Sequence, residues 1–152
     1  MPVLKVTDEI NQFKDEHAWL SNFEPVIIHS SGLNFQSVEI AYQASKTNNY
    51  NDWKQFAALG PKDSGKAKYM GRKVTLIKDW EIKKVSFMKR FLYQKFMYDK
   101  FRRKLLETGN SELIEGNYWH DNYWGDCYCQ KCKGRPGQNM LGKLIMEIRN
   151  NI

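Results

Sequence analysis

A chain of 152 residues is sized for a single domain built on one substantial core. With 41% hydrophobic and 14% aromatic residues, it carries enough apolar surface to offset ordering entropy, which excludes a disordered tail or linker. Apolar runs such as Val26-Ile27-Ile28 fall far short of the ~20 residues that span a bilayer, and a net charge of +7 suits a phosphate-bearing small molecule, a nucleic acid or a solvated basic surface.

The opening Met1-Pro2-Val3-Leu4-Lys5 lacks the apolar region of a secretory signal, so the chain is expected in the cytoplasm with no membrane partner. The first third reads as short strands. Val26 to His29 and Leu33 to Phe35 flank Ser30-Ser31-Gly32, a hairpin turn in which Gly32 supplies a positive φ. Stretches near Val3–Val6 and Ile10–Lys14 are candidates to pair with that hairpin. Ser37 can then cap a helix running to about Lys46.

A short helix is expected over Asp52–Leu59, stopped by Gly60-Pro61. Another runs from about Asp63 to Met70 and terminates at Gly71. Asp79 caps a long helical stretch that Asp99 divides before Thr108-Gly109 closes it. Phe91, Leu92 and Phe96, then Phe101 and Leu105, give it a helical apolar pattern. In the final helix, Leu141, Leu144, Ile145 and Ile148 fall at i, i+3, i+4 and i+7, a core-facing stripe. The fold class is α+β: a mainly helical single domain with a small antiparallel sheet near the N-terminus.

Five groups of residues could carry chemistry. Glu39 and Lys46 are seven apart, so on one helix they share a face about 10 Å apart along the axis. A carboxylate that moves protons beside an amine that attacks an aldehyde-like carbon suits work on a sugar, although two solvated charges give the same spacing. Six of the eleven residues from Tyr118 to Tyr128 are aromatic or His. Trp124-Gly125-Asp126 lies within that stretch: rings to stack on a base, and an acid to hold a ribose hydroxyl or steady charge on the sugar. The same rings could instead form a small core under a loop.

Asn139 is placed to cap the final helix, whose N-terminus would offer free N–H groups to a phosphate, with Gly142 allowing close approach. Gly71-Arg72 is either a helix stop followed by a surface arginine or a phosphate-facing fork. The three cysteines, Cys127, Cys129 and Cys132, are too few and too close for a secreted disulfide framework. They are free thiols or, with His120 as a fourth ligand, half of a zinc knuckle.

These pieces line up with a family. Phe13, Leu20-Ser21-Asn22-Phe23 and Pro25, then Ser37-Val38-Glu39, Gln43-Ala44 and Lys46, resemble the opening motifs of the NADAR (YbiA-like) domain. Gly71-Arg72, Trp80, Met88, Lys95-Phe96, Leu105, Thr108-Gly109, Leu113-Ile114-Glu115, Trp124-Gly125-Asp126 and Gly137 to Arg149 follow in the family's order. The resemblance implies an α+β N-glycosidase. Its targets would be a phosphorylated ribosylamino-pyrimidine of riboflavin synthesis, or ADP-ribose attached to guanine, free or within DNA or RNA.

It also implies roles. Glu39 matches the catalytic carboxylate and Lys46 the lysine that forms a Schiff base with ring-opened ribose. Asp126 and Trp124, with Gly125 between them, match the acidic and aromatic wall. Asn22, Phe23, Gly71, Arg72, Trp80 and Asn139 match substrate contacts. No metal or redox cofactor is required by such chemistry. Where some members carry a short Gly-rich turn after Trp-Gly-Asp, this chain has Cys127 to Pro136, which leaves substrate size open. Two other readings use the same residues: a non-catalytic ADP-ribose or nucleotide reader, and a basic nucleic-acid-binding module. The scatter of basic residues through the helices disfavours the second.

Overall fold

The computed structural model describes residues 8–152; the stretch Val3–Val6, a candidate strand, lies outside them. The fold is α+β and mainly helical, with a small antiparallel hairpin near the N-terminus. The chain forms two compact units, one from the residues up to Ser21 with Tyr98–Ile152, the other from Asn22–Met97. No helix of the described residues is long and apolar enough to cross a membrane.

The unit Asn22–Met97 is built around α1 (Val38–Ala44), which packs against β1 (Ile28–Ser30), β2 (Leu33–Phe35), α2 (Tyr50–Ala57), α3 (Ser64–Gly71) and α4 (Trp80–Met97). β1 and β2 pair antiparallel with Ile28 opposite Phe35. Ser31 and Gly32 form the two-residue turn with φ of 55° and 76°, the doubly left-handed geometry whose twist matches the strands. Gln94 of α4 ties β1 in place, donating to the His29 carbonyl and accepting from its N–H, both at 2.8 Å.

α1 starts as its sequence dictates. Ser37 accepts the Ile40 N–H at 3.1 Å, satisfying an orphan donor of the first turn, and its hydroxyl also bonds Ser64 Oγ at 2.7 Å. All seven residues of α1 are buried, because neighbouring elements cover every side of it. Tyr42, Trp80, Phe87 and Phe91 then form a ladder of rings with centroids 5.3, 6.0 and 6.3 Å apart.

In the other unit, α5 (Asp99–Glu107) and α6 (Met140–Asn150) carry the core stripes. Leu141, Leu144, Ile145 and Ile148 are all buried on α6, along with Phe101 and Leu105 on α5. Arg149 fastens α6 to the end of α5, donating from Nη1 to Thr108 Oγ1 and the Ser111 carbonyl, each at 2.9 Å. Ile10 does not join the hairpin. It forms a parallel bridge with Leu113, through Ile10 N–H to Glu112 O at 2.7 Å and Ile114 N–H to Ile10 O at 2.8 Å. A short polar-flanked segment carries no register of its own, and a partner about a hundred residues away takes it. β3 (Gly116–Asn117) and β4 (Asp126–Cys127) pair in parallel nearby.

Candidate active site

Glu39 sits in the first turn of α1, 8% exposed, with its backbone N–H donating to Asn22 O at 3.0 Å. One turn later Gln43, 5% exposed, donates from Nε2 to Glu39 Oε2 at 2.6 Å. Glu39 Oε2 is the acceptor of this bond, so the amide turns its NH₂ toward it. Gln43 Oε1 is thereby left buried with no hydrogen-bond partner among the described residues, as is Asn22 Oδ1. Both acceptors are closed off from solvent, and Gln43 Oε1 faces the bare α-carbon of Gly71.

Lys46 does not lie on α1 as the sevenfold spacing expects, because the helix ends at Ala44. Ser45 N–H bonds Tyr42 O, Lys46 N–H bonds Gln43 O and Thr47 N–H bonds Ala44 O, so the last turn tightens to i→i+3 pitch. Ser45 Oγ donates to Tyr42 O at 2.6 Å and Trp53 Nε1 to Thr47 O at 2.7 Å, and together they hold this turn. The two groups still act on each other. The Lys46 ammonium lies 5.8 Å from the Tyr42 ring centroid. Partial burial holds its pKa below the ordinary lysine value; Glu39 opposes that, while Lys68, Arg72 and Lys84 reinforce it.

Gly71 is the last residue of α3, where its φ is not left-handed, so it serves close packing and not a helix stop. A Cβ there would run into the Gln43 amide, with Gln43 Cδ only 2.8 Å away. Arg72 follows, exposed and in helical geometry at the C-cap. Trp80 is 6% exposed, with its ring next to that of Tyr42 in the ladder. Phe23 is 43% exposed, with the Lys68 ammonium 6.0 Å from its ring. Asn22, Phe23, Glu39, Lys46, Gly71, Arg72 and Trp80 thus belong to one unit.

Trp124, Gly125, Asp126 and Asn139 belong to the other. Trp124 meets Tyr123 edge-on at 4.9 Å, and Asp126 Oδ1 accepts the Gly137 N–H at 2.9 Å. The aromatic loop is not a closed core, because Trp119 is 60% and Tyr118 57% exposed.

Asn139 stands at the N-cap of α6, where its sequence puts it, but its side chain makes no capping bond. Its φ of 50° is left-handed, and its side chain is spent on the 113–115 segment. Oδ1 accepts the Glu115 N–H at 2.9 Å and Nδ2 donates to Leu113 O at 2.8 Å. Nor do the first two N–H groups of the helix stand free. Met140 N–H bonds Tyr123 O at 3.0 Å, and Leu141 N–H bonds Trp124 O at 3.0 Å. The neighbouring loop takes two of the donors that a phosphate would use.

His120 and the cysteines converge. Cys127, Cys129 and Cys132 are free thiols, and His120 Nδ1 lies 3.2 Å from Cys129 Sγ, 3.4 Å from Cys132 Sγ and 3.9 Å from Cys127 Sγ.

The family model of the NADAR domain matches residues 10–152. The chain belongs to the NADAR domain family. It is also similar to the NMR structure of the E. coli protein YbiA, with a TM-score of 0.80 and 29% sequence identity over 98% of this chain and 86% of that one. No curated protein matches significantly. NADAR domains are linked to N-glycosidase activity. Within this NADAR chain, Gln43 was legible as a motif residue but not as the partner of Glu39. Its signal was the i, i+4 spacing from Glu39, which puts the two side chains in reach on a helix. Lys68 and Lys84, which bear on Lys46, carried no sequence signal beyond their charge.

Proposed function

We propose that the protein is an N-glycosidase that hydrolyses the bond between a phosphorylated ribose and a base, working through Glu39 and Lys46. The substrate class is a base carrying ribose on an exocyclic amine: ADP-ribosyl-guanine, free or in nucleic acid, or a ribosylamino-pyrimidine phosphate. The observation that carries the reading is Lys46. Its amine is partly desolvated among Lys68, Arg72 and Lys84, with the buried Glu39 carboxyl acting on it. That environment favours the neutral, nucleophilic amine, and the surrounding cations suit phosphate oxygens.

Glu39, protonated, gives its proton to the ring oxygen as the C1–O bond breaks, and the lone pair of the base nitrogen forms C1=N. Neutral Lys46 adds to C1. The proton lost by its nitrogen passes through the Glu39 carboxylate to the base nitrogen, and the C1–N bond to the base breaks. Water then adds to the lysine iminium, releasing an open-chain sugar and the free amine. Gln43 holds Glu39 throughout, from Nε2 to Oε2.

Incubation with ADP-ribosylated guanosine, ADP-ribosylated DNA and a ribosylamino-pyrimidine phosphate, followed by mass spectrometry, should detect free base from one of them. Borohydride added during turnover should leave a sugar adduct on Lys46. Tight binding of ADP-ribose with no base released from any substrate would establish a reader instead of an enzyme. Full activity in Lys46→Ala with no adduct would remove the Schiff-base route.

A further inference from the structure

We propose that His120, Cys127, Cys129 and Cys132 form a structural zinc site that folds the loop from Tyr118 to Pro136. The four ligand atoms all lie within 4.8 Å of one another. In a tetrahedral site, Zn–S near 2.3 Å and Zn–N near 2.0–2.1 Å place neighbouring ligand atoms about 3.6–3.8 Å apart. The separations around His120 Nδ1, 3.2, 3.4 and 3.9 Å, bracket that value. With no pair more than 4.8 Å apart, the ligands can close on an ion with shifts of at most about an ångström.

The surroundings of the sulfurs are those of thiolates. His120 N–H points to Cys127 Sγ at 3.3 Å, Cys129 N–H to the same sulfur at 3.5 Å, and Asn122 Nδ2 to Cys132 Sγ at 3.4 Å. Donors of this kind steady thiolate charge and orient ligands around a metal. Asn122 also accepts the Cys127 N–H at 2.8 Å, so one side chain holds two ligand positions. His120 adopts a left-handed φ of 69°, a conformation disfavoured for any residue with a Cβ, and from it the imidazole reaches the three sulfurs.

A disulfide explains the cluster less well. Pairing two of the three sulfurs would strand the third and give no role to a ring nitrogen that contacts all of them. The loop also needs an anchor. Lys131, Lys133, Gly134, Arg135 and Pro136 are exposed, and Cys127 and Cys132 are its buried apolar residues from Asp126 to Pro136. Binding converts three thiols to thiolates with release of three protons, and the resulting single negative charge lies among Lys131, Lys133 and Arg135. Four protein ligands leave no open position, so the metal's role is to fold the loop and not to activate water.

The test uses the whole chain, purified under reducing conditions without chelator. Mass-spectrometric metal analysis should find about one zinc per chain, as a closed four-ligand site requires. Replacement by Co²⁺ should give the visible bands of tetrahedral cobalt together with thiolate charge transfer. Cys129→Ser and His120→Ala replace residues that are not buried, so circular dichroism should show both folded, and both should lose most of the zinc. Protein without zinc that also gives no tetrahedral cobalt spectrum would overturn the proposal. So would undiminished zinc in Cys129→Ser, or a disulfide between any two of the cysteines in the freshly reduced, zinc-supplied chain.

Discussion

Gly71→Ala tests whether the orientation of Glu39 matters, because the added methyl group reaches the acid through one intermediary. An alanine Cβ would overlap the Gln43 amide, while Gln43 Cβ stays at an ordinary 3.4 Å. The overlap thus falls on the movable end of the side chain. The amide must rotate away, and the 2.6 Å bond from Nε2 to Glu39 Oε2 is what breaks. A hydrogen bond to a charged group contributes about 1.5–3 kcal/mol. If the transition state uses the carboxyl in its held position, kcat should fall roughly 10- to 150-fold, at about 1.4 kcal/mol per tenfold. Stability should change less, since alanine in a helix gains up to ~1 kcal/mol over glycine and offsets part of the loss.

Kinetics of base release and urea unfolding would be measured for Gly71→Ala, Gln43→Ala and the double variant. Once Gln43 is truncated there is nothing left to collide with, so the double variant should be no slower than Gln43→Ala. Additive losses in the double variant, or full activity in Gly71→Ala, would refute the reasoning.

Base release should follow a bell-shaped pH profile, because the reacting pair needs Glu39 protonated and Lys46 neutral; the pKa behind the Lys46 limb lies below 10.5 mainly through desolvation. Arg72→Ala removes a cation that lowers this pKa, so a pH–rate profile should show that limb displaced to higher pH. The stability sign is the reverse of a salt bridge: folded Lys46 binds fewer protons than unfolded Lys46. Its burial therefore costs stability below the folded pKa, and that cost is relieved as pH rises toward 10.5. Asn139→Ala strands the Glu115 N–H and the Leu113 carbonyl, and should destabilise the protein by about 2–6 kcal/mol in urea unfolding at ~1–3 kcal/mol per stranded group. Weakened ligand binding with unchanged stability would instead make Asn139 a substrate contact.

The sequence by itself determined what depends on neighbours along the chain. The Ser31-Gly32 turn, the Ser37 cap and the Leu141–Ile148 stripe are decided by backbone sterics and 3.6-residue periodicity, and all are where the sequence puts them. The Cys127-x-Cys129-x-x-Cys132 spacing likewise announced thiols gathered in one loop. Tertiary structure decided the rest, because each remaining feature is a contest for hydrogen-bond partners far apart in sequence. Ile10 took Leu113, Asn139 gave its side chain to Leu113 and Glu115, and the start of α6 gave its first two N–H groups to Tyr123 and Trp124. Lys46 left the helix face because Ser45 and Trp53 close α1 early, yet burial and the cations brought from α3 and α4 set its chemistry. Local rules place an element; which side chain keeps a free hand for chemistry depends on what the distant chain has already claimed.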